Sequence, residues 1–118
     1  MRVAGFGFRS GARVESLLAA FEAAGGVEVA RLATVADKAE GLLGLAERLG
    51  LPVEPVPVGA LREQHVTTRS EASTAAWGTG SVAEASALAA AGAGARLLGP
   101  RAVSPDGQAT CAIAEATA

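Results

Sequence analysis

Two glycine-rich corners and two reactive side chains carry most of the chemistry this sequence offers. The first corner, GFGFRSGA at residues 5–12, sets Gly5, Gly7 and Gly11 beside Arg9 and Ser10, with Arg13 just beyond. The second, WGTGS at 77–81, places Trp77 against Gly78, Thr79, Gly80 and Ser81. Each precedes an apolar stretch with helical spacing, and free amides at a helix start attract anions. One exposed anion at such a place gains only about 0.3–1 kcal/mol. Two corners with flanking arginines therefore suit a ligand carrying several carboxylates. His65 is the only histidine, and histidine is the side chain whose ordinary pKa lies nearest neutrality, which makes it the candidate general base. No serine, cysteine or carboxylate pairs with it from the sequence, and a surface histidine fits the same position. Cys111, the single cysteine, lies in an apolar run and reads as a small core hydrophobe.

The spacings narrow the choices. Gly5, Gly7 and Gly11 give G-x-G-x-x-x-G, one residue longer than a dinucleotide fingerprint, and the second strand ends in LATVA without the required acid. No lysine follows the glycines, so a Walker loop is absent too. A nucleotide-binding module stays as a third reading, and a plain glycine turn with solvated arginines as the simplest. One cysteine excludes an internal disulfide and a multi-cysteine metal site. Asp37, Glu40 and Glu84 fit helix caps rather than metal ligands, so neither metal nor cofactor is expected. The net charge of -2 removes the drive toward nucleic acid or anionic membranes. Basic charge is almost all arginine, Lys38 being the only lysine. Anion recognition and GC-rich coding both produce that bias. Trp77 suits either stacking on a flat ligand or packing in the core.

The elements that must position these residues alternate. A buried strand is expected over 2–8, a helix over 12–24 stopped by Gly25-Gly26, and a second strand over 27–35. Asp37 and Glu40 stand at capping-box spacing before a helix that Gly50 closes. The three prolines of LPVEPVPV allow only an edge strand or extended segment. Residues 59–80 are polar, with a short helix in GALREQ and one helical turn after Ser70, and suit a mobile lid. Ser81 and Glu84 form an S-x-x-E capping box for a helix ending at Gly92. ARLLGP and QATCAIAEA read as the last strands, joined by the turn SPDGQ. The expected fold is one α/β domain over residues 1–118, a three-layer α/β/α sandwich. Its central sheet is mostly parallel, with an antiparallel C-terminal strand. With no secretory leader and no uninterrupted apolar span, the chain is expected to be soluble and cytoplasmic.

Several pieces in this order resemble the family containing CobE and the C-terminal domain of CbiG, proteins of cobalamin biosynthesis. They are VAGFGFRSGA at 3–12, LATVADKA at 32–39, GLLGLAERLGLPV at 41–53, GTGSVAEASALAAAG at 78–92 and LLGPR with ATCAIA toward the end. The resemblance implies a three-layer domain acting on corrin precursors, flat macrocycles edged with acetates and propionates. It implies a site from Gly7, Arg9 and Gly11 in the first loop, Thr34 and Lys38 at the second strand's exit, Gly78 to Ser81 with Glu84, and Arg101. Phe8 stands where relatives often carry cysteine, and the N-terminal and middle regions of the fused lactone-opening hydrolases have no counterpart. The resemblance thus favours a protein that binds a precorrin-type intermediate, as carrier or accessory to a neighbouring corrin-pathway enzyme. A cobalt-precorrin-5A hydrolase-like enzyme using His65 is the alternative.

Overall fold

Side chains alternate along the first strand, β1 (Arg2–Phe8): Val3 and Gly5 face one layer of helices, Ala4 and Phe6 the other. The structure, a computed structural model, describes residues 1–117. After β1 come α1 (Val14–Ala23), β2 (Val29–Val35), a 3-10 segment (Ala36–Leu42), α2 (Leu43–Leu49) and β3 (Val53–Val56). Three helices follow, α3 (Val58–Arg62), α4 (Glu71–Trp77) and α5 (Val82–Ala91), then β4 (Arg96–Leu97), β5 (Ala102–Val103) and β6 (Ala109–Glu115). Strands β1, β2 and β3 pair in parallel in the order β3-β2-β1. β6 runs antiparallel beside β1, and β4 and β5 share its far edge. This is the expected three-layer sandwich with an antiparallel C-terminal strand.

One layer packs α1 and α2 against the sheet through Leu17, Phe21, Leu45, Phe6, Leu32 and Ile113. Phe6 and Phe21 stack there, ring centroids 6.3 Å apart. The other layer seats α5 directly on β1. A Cβ on Gly5 would lie 2.1 Å from the Ala83 carbonyl oxygen and 2.5 Å from the Ala87 nitrogen. Glycine on the strand and alanine on the helix let the two backbones approach closely, so density comes from proximity rather than from large rings. α5 is buried at nine of its ten positions. The proline-bearing β3 is the edge strand, as its sequence requires.

Four local expectations change. β2 starts at Val29 because Glu28 adopts a left-handed φ of 56°. Neither Asp37 nor Glu40 caps a helix: residues 36–42 form the 3-10 turn and α2 begins without a side-chain cap. The helix after Ser70 runs to Trp77, its start capped by Ser70 Oγ, which accepts from the Ser73 amide. ARLLGP does not make one strand. The chain leaves the edge after Leu98, whose amide still donates to the Ile113 carbonyl, and rejoins at Ala102. Pro100 has no N–H to offer β6, and the Arg101 amide is taken by Glu84. Among the described residues no helix is long and apolar enough to cross a membrane.

Candidate functional site

The α5 face of β1 ends at Gly7, where three element ends meet. A Cβ on Gly7 would come within 2.9 Å of Thr110 Oγ1 on β6 and 3.5 Å of Val82 Cβ at the start of α5. Thr110 Oγ1 donates to the Gly7 carbonyl at 3.1 Å. Outside this junction lies a cleft of about 480 Å³, walled by Arg9, Trp77, Ser73, Arg101, Gln108 and Val103 among others. It opens at the carboxyl end of a central strand, where α/β sheets commonly hold ligands.

Among the described residues Arg9 and Arg101 are the only charged ones in the cleft wall. Neither has an ion-pair partner among the described residues. Their backbones are fixed while their guanidinium groups are left unpaired. The Arg9 amide donates to the Gln108 carbonyl at 3.0 Å, which ties the first corner to the β5–β6 turn. The Arg101 amide donates to Glu84 Oε2 at 2.9 Å. At the start of α5, Ser81 Oγ accepts from the Glu84 amide at 3.1 Å and the Ser81 carbonyl from the Ala85 amide at 3.0 Å. The amides of Val82 and Ala83 have no acceptor among the described residues. Two guanidinium groups and the start of α5 thus share one cleft wall, and donors of this kind are chemically suited to carboxylates.

Glu84 completes only half of its expected capping box. Its amide is capped by Ser81, but its side chain does not reach back to the Ser81 amide, which donates instead to Thr79 Oγ1 at 3.4 Å. The carboxylate is fully buried. Oε1 accepts from the Thr67 and Thr68 amides at 2.7 and 2.9 Å, and Oε2 from Thr68 Oγ1 at 2.5 Å and from the Arg101 amide. Burial pushes its pKa up, but these hydrogen bonds outweigh burial and hold the carboxyl below its ordinary value.

Of the residues singled out from the sequence, the structure gathers Gly7, Arg9, Trp77 and Arg101 in the cleft wall. Ser10 and Gly11 continue the first corner into solvent, Gly11 at a left-handed φ of 83°. Gly78, at φ 74°, closes α4, while Thr79 and Ser81 are buried in the α4–α5 turn. Gly80 faces a second, smaller depression of about 310 Å³, which also holds His65, Arg69 and Thr74. His65 thus lies across α4 from the cleft. Thr34 is fully buried, its Oγ1 donating to the Phe6 carbonyl at 2.8 Å. Lys38 Nζ donates to the Phe8 carbonyl and lies 4.6 Å from the centroid of the Phe8 ring, a cation–π contact. Burial lowers the Lys38 pKa. Cys111 is buried on β6, and burial pushes its thiol far up, away from thiolate reactivity. Sequence reasoning missed Ser73, Gln108 and Thr110 in the wall. Only the sheet pairing of β1 with β6 brings the last two beside Gly7, and no local motif signals it. Ser73 Oγ is buried without a hydrogen-bond partner in the described structure.

The family model described as cobalamin synthesis G C-terminus matches residues 2–114. The structure is similar to that of CobE, a protein from the cobalamin (vitamin B12) biosynthetic pathway. The TM-score is 0.89 at 32% identity, over all of this chain and 95% of that one. It is also similar to cobalamin biosynthesis protein ChiG from Agrobacterium tumefaciens str. C58, at TM-score 0.75 and 40% identity over the whole of both chains. A cobalamin biosynthesis protein G homolog from Sulfolobus solfataricus shares the fold at TM-score 0.71 and 19% identity, over 96% of this chain and 36% of that longer one. No curated protein matches. A match over nearly the whole chain, together with two related structures above 30% identity, closes the question of kinship: this chain belongs to the CbiG C-terminal family of cobalamin biosynthesis proteins.

Proposed function

We propose that this protein binds a precorrin-type corrin intermediate in the cleft above Gly7, as a carrier or as an accessory to a neighbouring enzyme of the pathway. The observation that carries the reading is the wall itself: two unpaired guanidinium groups, Arg9 and Arg101, with Trp77 beside them and no carboxylate among the lining residues. Corrin precursors are flat and edged with acetate and propionate groups, so guanidinium forks match their rim and an aromatic wall matches their apolar face. Membership in a cobalamin biosynthesis family supports the same ligand class, and a cytoplasmic setting goes with it. Lactone opening needs a base within reach of the bound ring. Among the described residues the cleft wall holds neither histidine nor carboxylate, and His65 lines the other depression, so binding is favoured over hydrolysis.

Titration of the purified protein with hydrogenobyrinic acid, followed by visible absorbance, tests this. Saturable binding with Kd below about 1 mM is expected, weakened when Arg9 or Arg101 is replaced by alanine. An unchanged spectrum up to millimolar protein overturns the reading.

A further inference from the structure

Glu84 is the one fully buried carboxylate among the described residues, and a merely structural cap does not need what it does. A capping-box glutamate would turn back to the amide of its own N-cap residue. Glu84 instead gathers two separate stretches of chain onto α5: residues 67–68 ahead of α4, through the Thr67 and Thr68 amides and the Thr68 hydroxyl, and the Arg101 amide beyond β4. All four partners are donors and none is a cationic side chain. The charge is therefore balanced by amide and hydroxyl dipoles, with help from the positive end of α5, in whose first turn it sits. An acid on the surface of the same cleft would pair with Arg101 and cancel it. This one holds the Arg101 backbone and leaves the guanidinium free.

The consequence reaches both sides of the cleft. Arg101 follows Pro100 in the stretch where the chain has left β6, so its sheet pairing does not fix it and the Glu84 bond does. Thr68 lies two residues before Ser70, whose amide donates to the Gly80 carbonyl at 2.9 Å and closes the base of the 70–80 excursion that carries α4 and Trp77. A Cβ on Gly80 would come within 2.3 Å of the Thr68 carbonyl oxygen, so the base is tightly stacked on the segment Glu84 holds. We infer that Glu84 is a positioning residue for the anion site: its carboxylate sets where Arg101 and the Trp77-bearing wall stand relative to the start of α5. The inference about ligand affinity rests on the proposed corrin-binding role. The inference about Arg101 placement does not.

Glu84→Gln keeps the shape and replaces one acceptor oxygen by a donor NH₂, which must face either the Thr67 and Thr68 amides or the Thr68 hydroxyl and Arg101 amide. Amide hydrogen exchange read by NMR is the ligand-free measurement. In Glu84→Gln the Arg101, Thr67 or Thr68 amides are expected to exchange at least about tenfold faster, with the β6 amides of Cys111 and Ile113 unchanged. Unchanged exchange at all three overturns the inference whatever the protein binds. Titration with hydrogenobyrinic acid then tests the coupling. Glu84→Gln is expected to weaken binding in the native background and in Arg9→Ala by the same factor, but to add little in Arg101→Ala. Equal losses in all three backgrounds overturn positioning through Arg101. No binding by the native chain rejects the corrin reading and leaves the exchange result to decide placement. Should Glu84→Gln fail to fold, Thr68→Val removes only the hydroxyl donated to Oε2. It is expected to speed exchange at the Thr68 and Arg101 amides, and no change there overturns the inference.

Discussion

Ser16 Oγ on α1 donates a 2.5 Å hydrogen bond to Asp106 in the β5–β6 turn, ninety residues further along the chain. The other carboxylate oxygen accepts from Ser104 Oγ at 2.6 Å and from the Gln108 amide at 3.1 Å. One acid thus fastens the turn both to itself and to the helix beneath it. Because the Gln108 carbonyl accepts from the Arg9 amide, the same latch sets the floor on which the first glycine corner rests.

The latch has a pH signature. Hydrogen bonds from Ser104, then Ser16, then the Gln108 amide pull the Asp106 pKa down to about 2. A group whose folded pKa lies below its unfolded value, about 3.9 for aspartate, contributes stability that is full above the unfolded value and lost as pH falls through the folded one. The melting temperature is therefore expected to fall between about pH 4 and pH 2. Asp106→Asn should melt lower than the native chain at neutral pH, with the gap narrowing across that acid window. Thermal melts at a series of pH values check this, and a gap that stays constant counts against the latch.

Two glycine-to-alanine changes are expected to have opposite outcomes, the first because of the contact of α5 with β1. At Gly5 the new methyl meets backbone atoms of Ala83 and Ala87, which no rotamer change relieves. Overpacking of this kind costs about 1–3 kcal/mol, and a loss at or above the top of that range is expected. Gly59, inside α3, has nothing within 4 Å of the added Cβ and no positive φ. Alanine there should stabilise by about 0.4–1 kcal/mol through the unfolded chain. Urea unfolding of the two variants measures both.

Thr34 is expected to matter for stability and not for ligand. Its hydroxyl satisfies the Phe6 carbonyl one step beyond the last β1–β2 register pair, Gly5 with Ala33. Thr34→Val should cost about 1–3 kcal/mol for the buried acceptor left unpaired, with the hydrogenobyrinic acid affinity unchanged. A drop in affinity without a drop in stability would put Thr34 in the site.

Arg9 and Arg101 make the proposed binding electrostatic and hence salt-sensitive. Each arginine-to-alanine change is expected to weaken hydrogenobyrinic acid binding about tenfold at low salt, the value of one charge-assisted hydrogen bond. Added salt should weaken native binding more than that of either variant, because screening acts on the contacts they have lost. Parallel salt titrations decide, and identical salt dependence in all three proteins excludes a role for both guanidinium groups.

The sequence made the frame readable because its rules are local. The alternation of β1, the prolines of β3, Gly50 and Gly92 as helix stops and the Ser81–Glu84 spacing each depend on neighbours within a few residues. The misread features depend on distant partners. Glu84 follows the capping spacing, yet its side chain answers to Thr67, Thr68 and Arg101, sixteen or seventeen residues away on either side. The split between β4 and β5 goes with that same bond and with Pro100, which has no N–H to give β6. Unseen rather than misread are the contacts of Thr34 and Lys38 at the second strand's exit, since nothing local shows that they donate to the Phe6 and Phe8 carbonyls. Arg9 and Arg101 come together only because β6 lies between β1 and β5.

Trp77, half-buried in the cleft wall, is the chain's only tryptophan, and the chain has no tyrosine. All of the protein's useful near-ultraviolet emission therefore originates at the edge of the proposed binding site. A tetrapyrrole seated beside that indole would act as an energy acceptor for it, so the protein carries a built-in optical gauge of cleft occupancy and needs no attached dye.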